Sequence, residues 1–171
     1  MLSAAVALSL FAAQTIHAEE RQMSELSITS PAFPHNGMIP IKYTCDGADV
    51  SPPLAIGSVP ENTNSLALIV DDPDAPMGTW VHWVVWNIAA DTREIPENTV
   101  PPGALQGTND FGKQKYGGPC PPSGRHRYFF KLYALNAPLA LKAGATKAQV
   151  EEAVSGHLLG KAELVGLYRR K

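Results

Sequence analysis

"SLALIVDDPDAP", residues 65–76, opens on a short apolar run rich in branched side chains and breaks into three aspartates and two prolines. A run of that length without polar alternation reads as an interior β-strand covered on both faces. Pro73 and Pro76 then fix φ and push the residue before each away from the α region, so Asp71, Asp72 and Asp74 leave the strand in a stiff loop. Two readings of that loop stand side by side. Asp side chains can close an Asx turn on nearby backbone N–H groups, or the rigid loop can position carboxylates for a site.

The strand pattern recurs along the chain. "WVHWVVWNI" (80–88) is apolar on both parities and reads as a second interior strand. "RYFFKLYAL" (127–135) reads as a third, with Tyr128, Phe130, Leu132 and Ala134 on one face and Arg127, Phe129, Lys131 and Tyr133 on the other. "LSITSPAF" (26–33) reads as a strand ending at Pro31, and "AELVGLY" (162–168) as a closing strand. One helix is signalled: Thr146 caps it, Gln149 completes a capping box and Gly160 terminates it. The 15 Pro and 14 Gly cut the chain into short segments, and there is no repeat, charge block or long linker. The fold class is therefore mainly β, two packed sheets with one or two peripheral helices. At 171 residues and 44% hydrophobic content, one domain suffices.

The ends and the charge exclude some functions. Fourteen basic against 16 acidic residues leave a net charge of −2, too little for a footprint on nucleic acid or an anionic membrane, and "YRRK" at the end reads as a solvated tail. "MLSAAVALSLFAAQTIHAEE" holds no Asp, Glu, Lys or Arg before Glu19, and its apolar stretch, Leu2 to Ala13, is too short to span a bilayer. Residues 1–18 read as a signal peptide cut after Ala18, although no Lys or Arg precedes the apolar stretch. Residues 19–171 are then the mature domain, periplasmic or secreted, without a transmembrane segment.

Cys45 and Cys120 suit an oxidising compartment as a candidate disulfide, whose long loop would contribute about 4 kcal/mol. Two buried thiols and a metal pair are the alternatives. No CxxC is present and no His stands at ligand spacing from either Cys, which disfavours a metal.

Two histidines enter apolar strands from constrained loops. His82 shares the parity of Val84, Trp86 and Ile88; a His there is ordinarily a core residue with one satisfied nitrogen. His126 has the parity of Tyr128, Phe130 and Leu132, which puts its imidazole on the core face beside "YGGPCPPSG" (116–124). Convergence of both on a small cavity is the functional reading. Gly117 and Gly118 would let backbone N–H groups form an anion-binding concavity, and Pro119, Pro121 and Pro122 would stiffen its wall.

"DDPDAP", "VHWVVWNI" and "GGPCPPSGRHRYFFKLYAL", in that order and spacing, resemble the phosphatidylethanolamine-binding protein family, also called the Raf-kinase-inhibitor-like family, over residues 24–170. "YTCDGADVSPPLAI" and the compact length resemble its bacterial branch. The resemblance implies two antiparallel sheets with Greek-key connections. It also implies a pocket that accepts phosphate-like or carboxylate anions, including phospholipid head groups. The matching positions are Asp72 with Ala75 and Pro76, then His82, Gly118 and Pro119, and His126 with Tyr128. Where animal members carry a further C-terminal helix over the pocket, this sequence stops at "VGLYRRK", which implies a more open pocket. Cys120 stands where many members have Pro, so a Cys45–Cys120 bond would pin the rim instead.

The expected function is that of a non-enzymatic binding protein, without a cofactor, that holds a small anion or phospholipid head group and acts on a protein target such as a kinase or protease. A homodimer is left open. The alternatives are a hydrolase using His82, His126 and Asp72 as acid–base groups, and an inhibitor that acts through its surface with the pocket vestigial or regulatory. No Ser or Cys is clearly paired with a His, Ser123 being the nearest hydroxyl in sequence to His126, and the Gly-rich loop lacks the Lys-Ser/Thr ending of a P-loop. If a charged His holds the anion, affinity should fall as pH rises through about 6 to 7.

Overall fold

The computed structural model describes residues 25–170, so the leader read at residues 1–18 lies outside it. In chain order the elements are β1 (Ser27–Thr29), β2 (Gly37–Met38), a 3-10 turn (Ile41–Tyr43), β3 (Leu54–Gly57), β4 (Ser65–Asp72), β5 (Trp80–Ala89), β6 (Glu94–Ile95), β7 (Leu105–Gln106), β8 (Arg125–Leu135), α1 (Lys147–Ser155) and β9 (Leu158–Arg169). They form a small sheet ordered β1-β3-β6 and a large one ordered β2-β9-β8-β4-β5-β7. The chain passes from β7, beyond β5, to β8 on the far side of β4, which is a Greek-key return. Pairing is antiparallel except where β2 lies parallel to β9.

The apolar runs are strands because both faces of the large sheet are covered. β4 is buried along its whole length. On the inner face Leu68, Trp83, Tyr128, Phe130 and Leu132 pack with Ile28, Ile56 and Ile95 of the small sheet. On the outer face Ile69, Val84, Trp86 and Leu135 pack with Val150 and Val154 of α1. Each large aliphatic or aromatic side chain removed from water there contributes about 1.5–3 kcal/mol. Asp71 ends the outer face of β4, where Lys131 and Lys147 each reach it at 2.8 Å and fasten α1 to the sheet.

Two irregularities in the β4–β5 pairing change which residues share a face. Val70 pairs with Trp83 but Asp71 pairs with Val81, so His82 is an extra residue, a β-bulge. A second bulge lies at Trp86 and Asn87, where Asn87 takes φ 57°. His82 consequently does not share a face with Val84 and Trp86, as strict alternation predicted. Its ring meets Tyr128 on the inner side, while Val81, Val84 and Trp86 belong to the outer core.

The capping box at α1 is present. The Thr146 backbone N–H donates to Gln149 Oε1 at 2.9 Å, and the Gln149 N–H donates to Thr146 Oγ1 at 3.4 Å. The helix stops at Ser155 with Gly156 as its cap, whereas Gly160 lies inside β9. Pairing of Leu158 with Leu135 draws the chain into the sheet before the predicted terminator is reached. No helix among the described residues is long and apolar enough to cross a membrane.

Candidate functional site

Asp72 follows Asp71 on β4 and faces the other way, and its carboxylate serves both readings of the loop. Oδ1 accepts from the Asp74 N–H at 2.8 Å, closing an Asx turn, while Oδ2 lies 2.7 Å from His126 Nδ1. A carboxylate only accepts, so His126 donates from Nδ1 and keeps Nε2 for other work. Asp74 belongs to the scaffold. It accepts from the Arg127 N–H and Nε at 2.9 Å and from Nη2 at 2.7 Å, and these bonds hold its carboxyl below the ordinary 3.8. The loop carrying Asp72 is thereby tied to the strand carrying His126.

His82, pushed inward by its bulge, is almost fully buried. Burial drives its pKa below the ordinary 6.5, so the ring is neutral near pH 7. Nδ1 lies 2.7 Å from the Gly117 carbonyl oxygen and donates to it, which leaves Nε2 with a lone pair. The Asn109 side chain binds the His82 and Lys115 carbonyls at 3.2 and 2.8 Å, and its own oxygen accepts from the N–H groups of Phe111 and Lys113. Phe111 stands edge-on to His82 at 5.4 Å and to Trp80 at 5.5 Å.

Tyr128 joins the two imidazoles. Its ring meets His82 edge-on at 5.1 Å, and its hydroxyl is buried without a hydrogen bond to any described residue. Burial first, and the Asp72 carboxylate second, raise its pKa far above the ordinary 10, so the O–H stays a donor. An orphaned hydroxyl in a core lacks a partner that folding normally supplies.

The Gly-Pro loop is rigid, but not as an anion nest. The Gly117 N–H donates to the His82 carbonyl at 3.0 Å and the Gly118 N–H to Asp49 Oδ1 at 2.7 Å, so both amides are engaged. The expected concavity of free N–H groups gives way to a wall fastened to β5 and to the segment after the 3-10 turn. A Cβ on Gly118 would lie 2.6 Å from the Tyr43 carbonyl oxygen, a contact that only glycine avoids here. The Pro119 carbonyl accepts from the Cys45 N–H at 3.1 Å, and Cys45 and Cys120 form a disulfide across 75 residues. Of the readings open for the cysteines, the structure shows the disulfide.

Asp72, His82, His126 and Tyr128 are thus brought together, and Gly118 and Pro119 belong to the wall behind His82. Ala75 and Pro76 share the Asp72 loop, where the Ala75 carbonyl accepts from the Gly78 N–H at 3.1 Å, and no bond ties them to either imidazole. Ser123 is exposed and makes no hydrogen bond to His126 among the described residues. Asn109, Phe111 and Asp49 were not picked out from sequence. They lie in polar stretches without periodicity, and folding alone brings them to His82 and Gly118.

Fold and site together define a two-sheet β-sandwich whose large sheet carries a buried Asp–His pair, a neutral histidine and an orphaned tyrosine hydroxyl at one strand end. The chain belongs to the phosphatidylethanolamine-binding protein family, whose profile matches residues 29–169. A UPF0098 protein of Methanothermobacter thermautotrophicus is 53% identical over 150 residues, covering 85% of this chain and 99% of that one. Another from Pyrococcus horikoshii is 50% identical over 161 residues, covering 89% and 80%. Among solved structures, a homologue of the family from Chlamydia trachomatis superposes with TM-score 0.83 at 41% identity, covering 86% of this chain and 99% of that one. E. coli YbcL, described as a new member of the mammalian family, gives 0.81 at 34% identity, covering 86% and 100%. With archaeal relatives this similar, "bacterial branch" is too narrow a label.

Proposed function

We propose that this protein is a non-enzymatic binder of small phosphate-like or carboxylate anions, phospholipid head groups included, at Asp72, His82, His126 and Tyr128, with Ala75, Pro76, Gly118 and Pro119 forming the rim. The observation that carries this reading is the convergence of the Asp72–His126 pair with the buried ring of His82 and the buried Tyr128 hydroxyl. Tyr128 O–H and a protonated His126 Nε2–H would donate to anionic oxygens. His82 Nε2, neutral, would accept from a ligand O–H or ammonium. A phosphoethanolamine head offers both kinds of group. The charged imidazole of this scheme is not His82, which burial keeps neutral. The disulfide supports a periplasmic or secreted location, and a kinase or protease is the class of target that the protein would modulate or inhibit.

Calorimetric titration with inorganic phosphate, phosphoethanolamine and a short-chain phosphatidylethanolamine tests the reading. Binding weakened about tenfold in Tyr128→Phe, the value of one charge-assisted hydrogen bond, and lost in His126→Ala is the expected result. Equal binding by both variants and the parent overturns it. The Asp72–His126 bond also favours a second reading, since a carboxylate that orients an imidazole is an acid–base arrangement. Hydrolysis of simple phosphate or carboxylate esters that survives Ser123→Ala but not His126→Ala would establish that reading.

A further inference from the structure

The strand register that sends His126 and Tyr168 inward sets Arg125 directly opposite Arg169 on the other side of β8 and β9. Like charges directly opposite in an antiparallel pair repel, and sequences ordinarily avoid them or supply a counter-charge. The neighbouring arginines are supplied: Arg127 pairs with Asp74 at 2.7 Å and Arg170 with Asp46 at 3.1 Å. Arg125 and Arg169 make no ion pair among the described residues. They line a cleft of about 470 Å³ together with Gly124 and Met38. Gly124, at φ 70°, puts no side chain into it, and Met38 is 52% exposed. Two arginines lining one open cleft beside Met38 suit a phosphate group with a carbon substituent, since a guanidinium fork can bind two of its oxygens at once and the thioether can meet the carbon.

We infer that Arg125 and Arg169 form a second anion site, outside the His126 pocket and on the opposite face of the same strand end, for a phosphate-type dianion such as a phosphomonoester. The ligand supplies the negative charge that no described residue supplies at this pair. The site does not depend on the reading of Asp72, His82 and Tyr128, because none of its residues belongs to that group.

Amide NMR of the ¹⁵N-labelled protein tests it with three probes: inorganic phosphate, glycerol 3-phosphate and dihexanoyl phosphatidic acid. Saturable shifts at Gly124, Arg125, Arg169 and Met38 are expected, separable from any shifts at Gly118 and His126. Arg125→Gln with Arg169→Gln should abolish the first set and leave the second. Arg125→Lys with Arg169→Lys, which keeps charge but loses the planar forks, should weaken the first set severalfold. A free phosphomonoester is the source if the short-chain lipid binds no better than glycerol 3-phosphate, and a lipid head group if it binds more tightly and moves Met38 further. Thermal melts give a second readout: the double Gln variant, relieved of repulsion, should melt no lower than the parent and lose the parent's stabilisation by phosphate. Shifts at Gly124 that persist in the double Gln variant, or that never saturate in the parent, overturn the proposal.

Discussion

Asp71 and Asp72 are consecutive residues at the end of β4, both sealed from solvent, and the molecule answers them differently. Asp71 faces the helix side, where two lysine ammonium groups close on it at 2.8 Å. Both ammonium groups engage Oδ2 and fasten α1 to the sheet, while Oδ1 is buried without a hydrogen-bond partner among the described residues. Asp72 faces the sandwich side and meets one imidazole at Nδ1, whose second ring nitrogen makes no hydrogen bond among the described residues. One buried carboxylate is spent on architecture and the other is left chemically open. What separates them is the alternation of a single strand.

That contrast can be broken or sharpened by experiment. The largest effect should come from the inner side's covalent fastening. Replacing Cys45 and Cys120 together by Ala frees a long loop and should lower unfolding free energy by about 4 kcal/mol. Denaturant melts check this, and a loss nearer zero would mean that the Cys45–Pro119 and Gly118–Asp49 bonds hold the wall unaided. Next, Asp71→Ala strands two partly buried ammonium groups and should cost about 3 kcal/mol, the lower end for a broken buried pair because both lysines keep some exposure. Asp72→Ala removes the partner of His126 Nδ1 and the acceptor of the Asp74 N–H and should cost less, about 2 kcal/mol. If the two substitutions cost the same, or the order reverses, the division of labour drawn above fails.

The smallest effect is a matter of pH. The folded pKa of His82 lies below its ordinary 6.5, so the unfolded chain binds the extra proton first. His82 therefore contributes no penalty above about 6.5, and stability drops as pH falls from there towards its folded value. In His82→Asn, whose amide can still donate to Gly117, melts between pH 7 and 5 should show a shallower decline. An unchanged slope would assign the acid sensitivity to other groups.

How much of this was legible beforehand depends on what each residue's neighbours are. β4, β5 and β8 announce themselves because an apolar run on both parities has few solutions other than a strand covered twice. β2, β6 and β7 have two residues each and no period to read. The family resemblance carried by DDPDAP, VHWVVWNI and GGPCPPSGRHRYFFKLYAL implied Asp72, His82, His126 and Tyr128 as site residues, and the structure brings those four together. The face of His82 was misread, since a bulge is set by register with the partner strand and leaves no mark in its own strand. The amides of Gly117 and Gly118 were misread for a related reason: sequence shows that a loop permits close approach, not which acceptor arrives first. Arg125 sat in plain view beside His126, but its opposition to Arg169 exists only once β8 and β9 are aligned.

The short parallel strand β2 has a consequence for how copies of this chain meet. β9 runs twelve residues at the side of the large sheet, and such a strand, left bare, would template the addition of strands from other molecules. Gly37 and Met38 cover it at Gly166 and Leu167, and the Asn36 and Ile39 N–H groups cap the Val165 and Leu167 carbonyls at 2.7 Å. Lys161 and Glu163 put charge on the stretch before it. At the sheet's far side β7 has two residues, paired with Val85 and Trp86. At Gly166 and Leu167, therefore, β9 offers no bare edge to a strand from another copy.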